Sequence, residues 1–294
     1  MTSRLYEDSI DRLLQTALSE DIGTADITTE AVIEPDARAQ GRYIAKEAGV
    51  VCGLPVLIRV YRALDPAVSV QCLCRDGSTV QRGEVIATVS GPARTLLLGE
   101  RVGLNLLQHL SGVATATARA VAQVAGTHTK IIDTRKTTPG LRLLEKYAVR
   151  VGGGANHRFS LSDGILIKDN HIVAAGGITA AVTRARAHAP HTLKIEVETE
   201  TLSQVEEALS AGADIIMLDN MTLGQMAEAI ALIRGRALTE ASGNMGERDL
   251  SDVARTGVDF ISIGALTHSV RALDISLKFS LQSPAVKQPE SDRT

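Results

Sequence analysis

Basic residues are concentrated in one stretch of the chain, between residues 130 and 171. This stretch contains eight Lys or Arg residues against four acids, whereas the whole chain of 294 residues has a net charge of −3. A local excess of positive charge in an acidic protein suits a small anionic ligand, because the field is strong only there. Arg in particular binds carboxylate and phosphate groups through two parallel hydrogen bonds. The composition of this stretch therefore predicts a site for a small anion.

Three of these basic residues follow short apolar runs, where a strand would end. Arg135 and Lys136 come after one run and Lys168 comes after the next. Other polar residues occupy the later runs or their ends, namely Glu196, Glu198, Asp219, Glu240 and Ser242. In α/β barrels the active site lies at the carboxyl ends of the strands. We therefore expect these side chains to converge.

A second set of basic residues has a different spacing. Arg142, Lys146 and Arg150 lie four residues apart, a pattern typical of one solvated face of a helix. We therefore predict that these three residues contact water and take no part in the site.

Glycine-rich segments accompany the basic residues. The segment at 152–164 carries His157 and Arg158, which we expect to contact the ligand, and no GK[ST] follows it, so it is not a Walker loop. Two further glycine turns, at 242–244 and 263–269, follow the last two apolar runs. Loops at this point of an α/β barrel commonly bind phosphate through backbone N–H groups. The ligand is therefore predicted to carry phosphate.

Beyond residue 130 the apolar runs alternate with helix-like segments, which predicts parallel βαβ units. About six units fit within this part of the chain, which favours an incomplete barrel over an eight-fold one of roughly 250 residues. A doubly wound sheet is the alternative, and the absence of a GxGxxG motif after the first strand disfavours it.

Before the barrel, the pattern predicts an amphipathic helix at 4–19, short strands at 41–92 and a long helix at 95–125. Near the end of the chain, 273–281 alternates strictly between apolar and polar residues, as in a half-buried strand. The predicted fold class is α/β, an incomplete parallel α/β barrel with an N-terminal α+β open-sandwich domain. The predicted parts are an N-terminal domain at 1–110 to which a strand at 273–282 returns, a barrel at 111–272, and a disordered tail at 283–294.

Composition excludes several classes of protein. Aromatic residues make up 2% of the chain and Trp is absent, which argues against stacking on nucleic acid. No apolar stretch approaches 18 residues, and acids stand where a signal peptide would be apolar. We therefore expect a soluble cytoplasmic protein with neither nucleic acid nor membrane as a partner.

Three alternative interpretations follow from single features. Lys168, after an apolar run, would suit a Schiff-base lyase, although that leaves Arg135 and Arg158 without a role. Residues 76–91 are similar to the hairpin of lipoyl or biotinyl carrier domains, but lack the Lys that such a hairpin presents. Arg101, taken alone, is typical of a solvated residue on the long helix.

Taken together, the motifs of this chain resemble the quinolinate phosphoribosyltransferase family over almost the whole length. The matching stretches are EDIGTADITT (20–29), GERVGLNLLQHLSG (99–112), DTRKTTPGLR (133–142), GGGANHRFSLSDGILIKDNH (152–171), KIEVET (194–199), IIMLDN (215–220), EASGN (240–244) and ISIGALTHS (261–269). The resemblance implies an open sandwich, an incomplete barrel and a homodimer with sites shared across its interface. It leaves open assembly beyond the dimer.

The resemblance also implies roles for individual residues. Arg101 would reach the partner's site, and Glu198 and Asp219 would face the ribose of phosphoribosyl pyrophosphate. Arg135, His157, Arg158 and Lys168 would bind the quinolinate carboxylates, and Lys136 would lie close to both substrates. Thr134 would also bind substrate, and the backbone around Ser242, Gly243, Asn244 and Gly264 would bind the 5′-phosphate.

The reaction implied by the resemblance transfers the phosphoribosyl group of phosphoribosyl pyrophosphate to quinolinate with loss of CO2, a step of NAD biosynthesis. The catalytic residues would be Lys136, Lys168, Glu198 and Asp219. Mg²⁺ would be the cofactor, with Glu198 and Asp219 as ligands either directly or through the magnesium that the pyrophosphate carries. A related phosphoribosyltransferase that acts on nicotinate or another anion remains the alternative.

Overall fold

The computed structural model describes residues 4–281, with side chains from residue 7 onward. Within this range the chain divides into two compact units. The first unit runs to Gln108 and resumes at Leu273, and the second runs from His109 to Ala272. The predicted tail at 283–294 lies outside the described residues.

The first unit begins with two helices and then mixes strands with helices. Its elements are α1 (Arg4–Ile22), α2 (Ile27–Val32), β1 (Arg38–Ala45), β2 (Gly49–Val50), α3 (Leu54–Leu64), β3 (Ser69–Cys72), β4 (Thr79–Val80), β5 (Val85–Pro92) and the long helix α4 (Ala93–Gln123). The division between the two units falls within α4.

In the second unit strands and helices alternate. Its elements are β6 (Lys130–Ile132), α5 (Arg142–Val151), β7 (Ile165–Ile167), α6 (Asp169–Ala175), α7 (Ile178–His188), β8 (Ile195–Thr199), α8 (Leu202–Ser210), β9 (Ile215–Asp219), α9 (Leu223–Ile233), β10 (Leu238–Ser242), a 3₁₀ turn (Met245–Glu247), α10 (Leu250–Arg255), β11 (Phe260–Ser262) and α11 (Ala265–His268). The chain then re-enters the first unit as β12 (Ile275–Leu281). None of the helices in the described part of the chain combines the length and apolar character needed to cross a membrane.

The main sheet of the first unit has the strand order β12-β1-β5-β3 and is antiparallel. Buried residues alternate with exposed ones along β1, because successive side chains point to opposite faces of a strand. Tyr43 on β1 and Tyr61 on α3 are fully buried, and their hydroxyl oxygens lie 2.6 Å apart. The last strand, β12, pairs with β1 along seven residues.

The segment at 76–91 does not form the hairpin of a carrier domain. Its first strand, β4, pairs with β2, whereas its second, β5, pairs with β1 and β3. The two strands thus belong to different sheets, so that interpretation of the segment is wrong.

The second unit contains a six-stranded parallel sheet in the order β6-β11-β10-β9-β8-β7. Its edge strands are β6 and β7, and a single bridge joins Ile132 to Ala155 of the following loop. The sheet is therefore an incomplete barrel, and the predicted fold class is confirmed.

Alternation along the barrel strands separates an apolar face from a polar interior. Ile195 and Val197 of β8 are fully buried in the cluster of apolar side chains that also includes α7 to α10. Glu196 and Glu198 lie between and after them, so they point to the opposite face. The same strand therefore supplies core residues on one side and carboxylates on the other.

Candidate active site

Most of the predicted site residues lie where the parallel strands end. These are Thr134, Arg135 and Lys136 after β6, Lys168 after β7, Glu198 in β8, Asp219 at the end of β9, Ser242 at the end of β10 and Gly264 after β11. His157 and Arg158 come from the loop between α5 and β7. Arg101 belongs to the first unit, where it is exposed on α4, and its role in a partner's site stays a prediction.

Hydrogen bonds hold the backbone at Lys136 on both sides. Its N–H donates to Thr134 Oγ1 at 3.0 Å, and its carbonyl accepts from Thr267 Oγ1 at 2.7 Å. A Cβ added at Gly264 would lie 3.0 Å from Lys136 Cδ. The Lys136 side chain therefore extends over Gly264. This places a positive charge from the loop after the edge strand β6 beside the turn that follows β11.

A buried ion pair between Asp133 and Lys146 joins the end of β6 to α5, and further hydrogen bonds to Asp133 hold the loop that follows α5. Asp133 accepts from Lys146 Nζ, from Asn156 Nδ2 and, at 2.9 Å, from the backbone N–H of His157. Burial raises the pKa of Asp133 and lowers that of Lys146, whereas their pairing acts against both shifts. Lys146 is only 3% exposed, so the prediction of a solvated face is wrong for this residue.

Arg142 is also more than a solvated residue. Its guanidinium donates to Thr137 Oγ1 at 2.9 Å, to the carbonyl of Arg135 at 3.3 Å and to the carbonyl of Phe159 at 3.2 Å. One side chain of α5 thus ties together the two loops that carry the candidate anion-binding residues. Of the three basic residues spaced four apart, Arg150 alone is exposed as predicted.

Arg135 and Arg158 place two positive charges close together. Burial lowers the pKa of Arg158, and the charge of Arg135 lowers it further. Arg158 donates to the carbonyl of Gly164 at 3.0 Å. Arg135 Nε is buried and has no hydrogen-bond partner among the described residues. A buried donor without a partner is costly, so this geometry suits an anion that pairs with both guanidinium groups.

His157, which precedes Arg158 in the same loop, faces two carboxyl groups inside the barrel. Its Nε2 lies 3.1 Å from Glu196 Oε2 and 3.6 Å from Glu240 Oε2. Burial, and then the negative charge of Glu196, raise the pKa of Glu240. A cavity of about 450 Å³ reaches this cluster, and residues at the start of β8, β9 and β11 form its other walls. Arg158 also lines this cavity, whereas Lys168 and Asp219, at the carboxyl ends of β7 and β9, do not.

Lys168 is paired with a carboxylate at the carboxyl ends of the strands. Its Nζ lies 2.9 Å from Glu198 Oε2, and its side chain is 47% exposed. A Schiff-base lysine instead needs apolar or cationic surroundings that favour the neutral amine. The structure therefore gives no support to the Schiff-base alternative.

Tight turns follow the last strands of the sheet. Gly243 has a φ of +91°, and a Cβ there would lie 2.2 Å from Asn220 Oδ1. Asn220 donates its side-chain amide to Asp219 Oδ2 at 2.7 Å and its backbone N–H to the carbonyl of Ser242 at 3.1 Å. The turns after β9 and β10 are thus packed so closely that only glycine fits at Gly243.

Several residues that organise the site were not predicted from the sequence. The buried Glu145 accepts from His109 Nε2 at 2.8 Å and from the backbone N–H of Thr138 at 3.0 Å, and so holds the loop after β6. Glu145 lies four residues before the buried Val149, which places both on one face of α5. That spacing is the signal that would have identified Glu145 as a buried residue.

Comparison with known proteins agrees with this geometry. The protein-family model described as "Quinolinate phosphoribosyl transferase, N-terminal domain" matches residues 26–111. The family model of the C-terminal domain matches residues 113–278. The chain belongs to the quinolinate phosphoribosyltransferase family. The two matches cover most of the chain, including every candidate residue at the strand ends.

Individual members of the family are similar over nearly their whole length. A probable nicotinate-nucleotide pyrophosphorylase (carboxylating) of Bacillus subtilis is 47% identical over 277 residues, which is 94% of this chain and 96% of the relative. A protein with the same description from Synechocystis is 48% identical over 272 residues, 92% of each chain. The crystal structure of NadC from Streptococcus pyogenes superposes with a TM-score of 0.89 at 46% identity and covers 96% of this chain and 100% of its own.

Proposed function

We propose that the chain transfers the phosphoribosyl group of phosphoribosyl pyrophosphate to quinolinate with decarboxylation. The products are nicotinate mononucleotide, pyrophosphate and CO2, as the names of the similar proteins suggest. The reaction is a step of NAD biosynthesis, and cytoplasm is its proposed location.

The observation that carries the choice of substrate is the buried Arg135 Nε, which has no hydrogen-bond partner among the described residues. Two adjacent guanidinium groups, one with a buried unpartnered Nε, suit a ligand that presents carboxylate oxygens to both. Lys168 adds a third cation at the carboxyl end of β7. Quinolinate has two carboxylates, whereas nicotinate has one, so the number of cations favours the dicarboxylate.

The other half of the proposed site faces the ribose and its phosphates. Glu198 and Asp219 end neighbouring parallel strands, and backbone N–H groups around Ser242–Asn244 and Gly264 suit a 5′-phosphate. The contacts described above use one oxygen of each carboxylate, Glu198 Oε2 and Asp219 Oδ2. The donor set fits Mg²⁺, which prefers carboxylates together with substrate phosphates. When bound, the ion would balance the charge of the departing pyrophosphate.

The side chains themselves supply the remaining chemistry. As pyrophosphate leaves, positive charge develops on the ribose, and Glu198 and Asp219 stabilise it as carboxylates do in glycoside hydrolysis. The arginines hold quinolinate so that its ring nitrogen faces the ribose carbon, and Lys136 lies between the two substrates. Bond formation makes the ring a pyridinium, which stabilises the electron pair left on the ring carbon when the adjacent carboxylate departs as CO2, and that carbon then takes a proton from solvent.

The assembly that this function requires is a homodimer. In the proposed dimer Arg101 of each subunit completes the substrate pocket of its partner. Its exposure on α4 leaves the guanidinium accessible to a second subunit.

The proposal is tested by the release of labelled CO2 from quinolinate carrying ¹⁴C in its 2-carboxylate. Release is expected only when both phosphoribosyl pyrophosphate and Mg²⁺ are present, and EDTA is expected to stop it. Nicotinate in place of quinolinate serves as the control substrate. Pyrophosphate release with nicotinate at an equal or greater rate, and none with quinolinate, would reject the proposal in favour of the related transferase.

A further inference from the structure

Glu196 and Glu240 are acids in the interior of a barrel whose ligand is anionic, and the proposed reaction gives them no role. Both are nearly fully buried, with exposures of 4% and 2%. The Oε1 atom of each is buried without a hydrogen-bond partner among the described residues, whereas the Oε2 atoms face His157 Nε2. Two buried carboxyl groups that converge on one imidazole require an explanation.

The other ring nitrogen of His157 fixes the position of its proton. Nδ1 accepts a hydrogen bond from the backbone N–H of Arg158 at 2.7 Å. A neutral imidazole has one acceptor nitrogen and one donor nitrogen, so the proton lies on Nε2. The protonated Nε2 of His157 therefore faces the carboxyl pair, with Glu196 Oε2 nearest at 3.1 Å and Glu240 Oε2 beyond hydrogen-bonding distance at 3.6 Å.

The same assignment argues against a metal ion at this cluster. One histidine and two carboxylates form a common ligand set, and the three potential ligand atoms lie within 4.8 Å of one another. A metal would need the lone pair of Nε2, which is protonated as long as Nδ1 accepts from Arg158. Coordination would thus require the Arg158 hydrogen bond to break.

We propose that Glu196 and Glu240 are positioning residues that hold the His157 ring and, through its Nδ1, the backbone at Arg158. The chain of contacts runs from the barrel interior to the guanidinium that pairs with the substrate. Partners beyond the first layer of ligands commonly fix the orientation of the residues that bind, and their loss often weakens function. The inference rests on the proposed function only for its kinetic consequence, because the state of the ring is observable without substrate.

A second, independent anchor makes the inference testable. The backbone of His157 is held by Asp133, and its carbonyl accepts from Lys146 Nζ at 3.0 Å. Loss of the carboxyl pair is therefore expected to release the ring and its bond to the Arg158 N–H, while Asp133 and Lys146 keep the backbone of His157 in place. Met is similar in size to Glu and removes two carboxyl groups whose burial is itself costly, so we expect such variants to fold.

The first measurement is the ¹⁵N NMR spectrum of the histidine rings. The His157 signals are identified by their absence from the spectrum of His157→Asn. The wild type is expected to show a protonated Nε2 and an unprotonated Nδ1. In the double variant Glu196→Met/Glu240→Met, which lacks both acceptors, this signature is expected to be lost. In Glu196→Gln/Glu240→Gln, which keeps acceptor oxygens, it is expected to remain.

The second measurement separates the two substrates. The Met double variant is expected to raise the KM for quinolinate about tenfold, the lower end of the range for such supporting residues, with the KM for phosphoribosyl pyrophosphate within about twofold. The Gln double variant is expected to restore the quinolinate KM to within about threefold of wild type. Asp259→Asn, which alters a carboxylate 3.7 Å from His128 in the same unit, serves as the control and is expected to change neither KM.

Three outcomes would overturn the inference. They are a wild-type ring protonated on Nδ1, a ring signature unchanged in the Met double variant, and an equal rise of both KM values in that variant. A shift of the Nε2 resonance on addition of Zn²⁺ alone, absent in the Met double variant, would reveal a metal site instead. Failure of the wild type to consume quinolinate would reject the proposed function but leave the ring measurements valid.

Discussion

At the scale of single residues, the charge of the candidate site is incompletely paired within the chain. Arg135 Nε has no partner among the described residues, and burial, followed by the charge of Arg135, lowers the pKa of Arg158. Lys168, in contrast, already has Glu198 as a partner. The two arginines are thus the residues whose pairing depends most on a bound anion.

Substitution of Arg135 tests this dependence. Arg135→Ala removes a charge-assisted pair worth about 1.5–3 kcal/mol, so we expect the KM for quinolinate to rise sharply and kcat/KM to fall by about a hundredfold. The KM for phosphoribosyl pyrophosphate should change less. Arg150→Ala, at an exposed position of α5, is the matched control. Normal binding of quinolinate to Arg135→Ala by calorimetry would refute the assignment of the pocket.

Lys168 is predicted to act through its charge and to form no covalent bond. Its pairing with Glu198 keeps a compact ammonium group at the strand ends, and the planar guanidinium of Lys168→Arg fills different space. We therefore expect Lys168→Arg to lower kcat/KM although the charge is kept. Intact-mass measurement after borohydride treatment with substrate should show no adduct, and a mass that matches a reduced imine would contradict this prediction.

At the scale of elements, α5 is the helix that connects the two cationic loops. It contributes Arg142 to both loops, Glu145 to the loop after β6, and Lys146 to the buried pair with Asp133. A helix with buried charged residues on its inner face is unusual, and here each of these charges has a partner. The rigidity of the candidate pocket is therefore expected to depend on α5.

The Lys146→Met variant measures this contribution. It leaves the carboxylate of Asp133 buried without its counter-ion, and removal of one partner of a buried pair costs about 3–5 kcal/mol. We expect the free energy of unfolding in urea to fall by about that amount. Arg150→Met on the exposed face of the same helix should change it by less than about 0.5 kcal/mol. Equal stabilities of the two variants would show that the pair does not stabilise the fold.

A second prediction at the scale of elements concerns the stability of the turn after β10. Gly243→Ala would add a Cβ 2.2 Å from Asn220 Oδ1 at a positive φ, so we expect a loss of more than about 1 kcal/mol in stability and a higher KM for phosphoribosyl pyrophosphate. Gly224 on α9 has open space around it, and Gly224→Ala should instead stabilise by about 0.5 kcal/mol. Thermal unfolding and initial rates would be measured for both, and a stable, fully active Gly243→Ala would refute the prediction.

At the scale of the whole molecule, the proposed dimer makes a quantitative prediction. In a two-fold dimer the same surface serves both subunits, so Arg101→Ala should nearly abolish activity while the protein remains folded and dimeric. Subunits of Arg101→Ala mixed with subunits of Arg135→Ala form hybrids in which one site has both defects and the other has neither. Statistical exchange makes half of the dimers hybrid, so about a quarter of wild-type activity should return.

The control for this experiment is proof of exchange, by native mass spectrometry of subunits with different isotopic labels. Hybrids that form without recovery of activity would show that Arg101 does not act across a dimer interface. Arg101 would then be a solvated residue on α4, and its loss would change stability by less than about 0.5 kcal/mol.

The sequence by itself determined the fold class and the position of most candidate residues along the strands. The six apolar runs after residue 130 became the six parallel strands, and the alternation at 273–281 became β12. Arg135, Lys168 and Asp219 were predicted to lie at strand ends because the end of an apolar run is a local property. The spacing of apolar residues and the length of an apolar run depend only on residues that are neighbours in sequence, so both can be identified without a structure.

Only the tertiary structure decided which charged side chains are buried and what they contact. The spacing of Lys146 is the same as that of a solvated residue, and its burial depends on Asp133 of another element. His157 meets Glu196 and Glu240 only because the parallel sheet brings β8 and β10 to the loop after α5. The free energy of a buried charge is set by partners distant in sequence, and a local pattern contains no information about them.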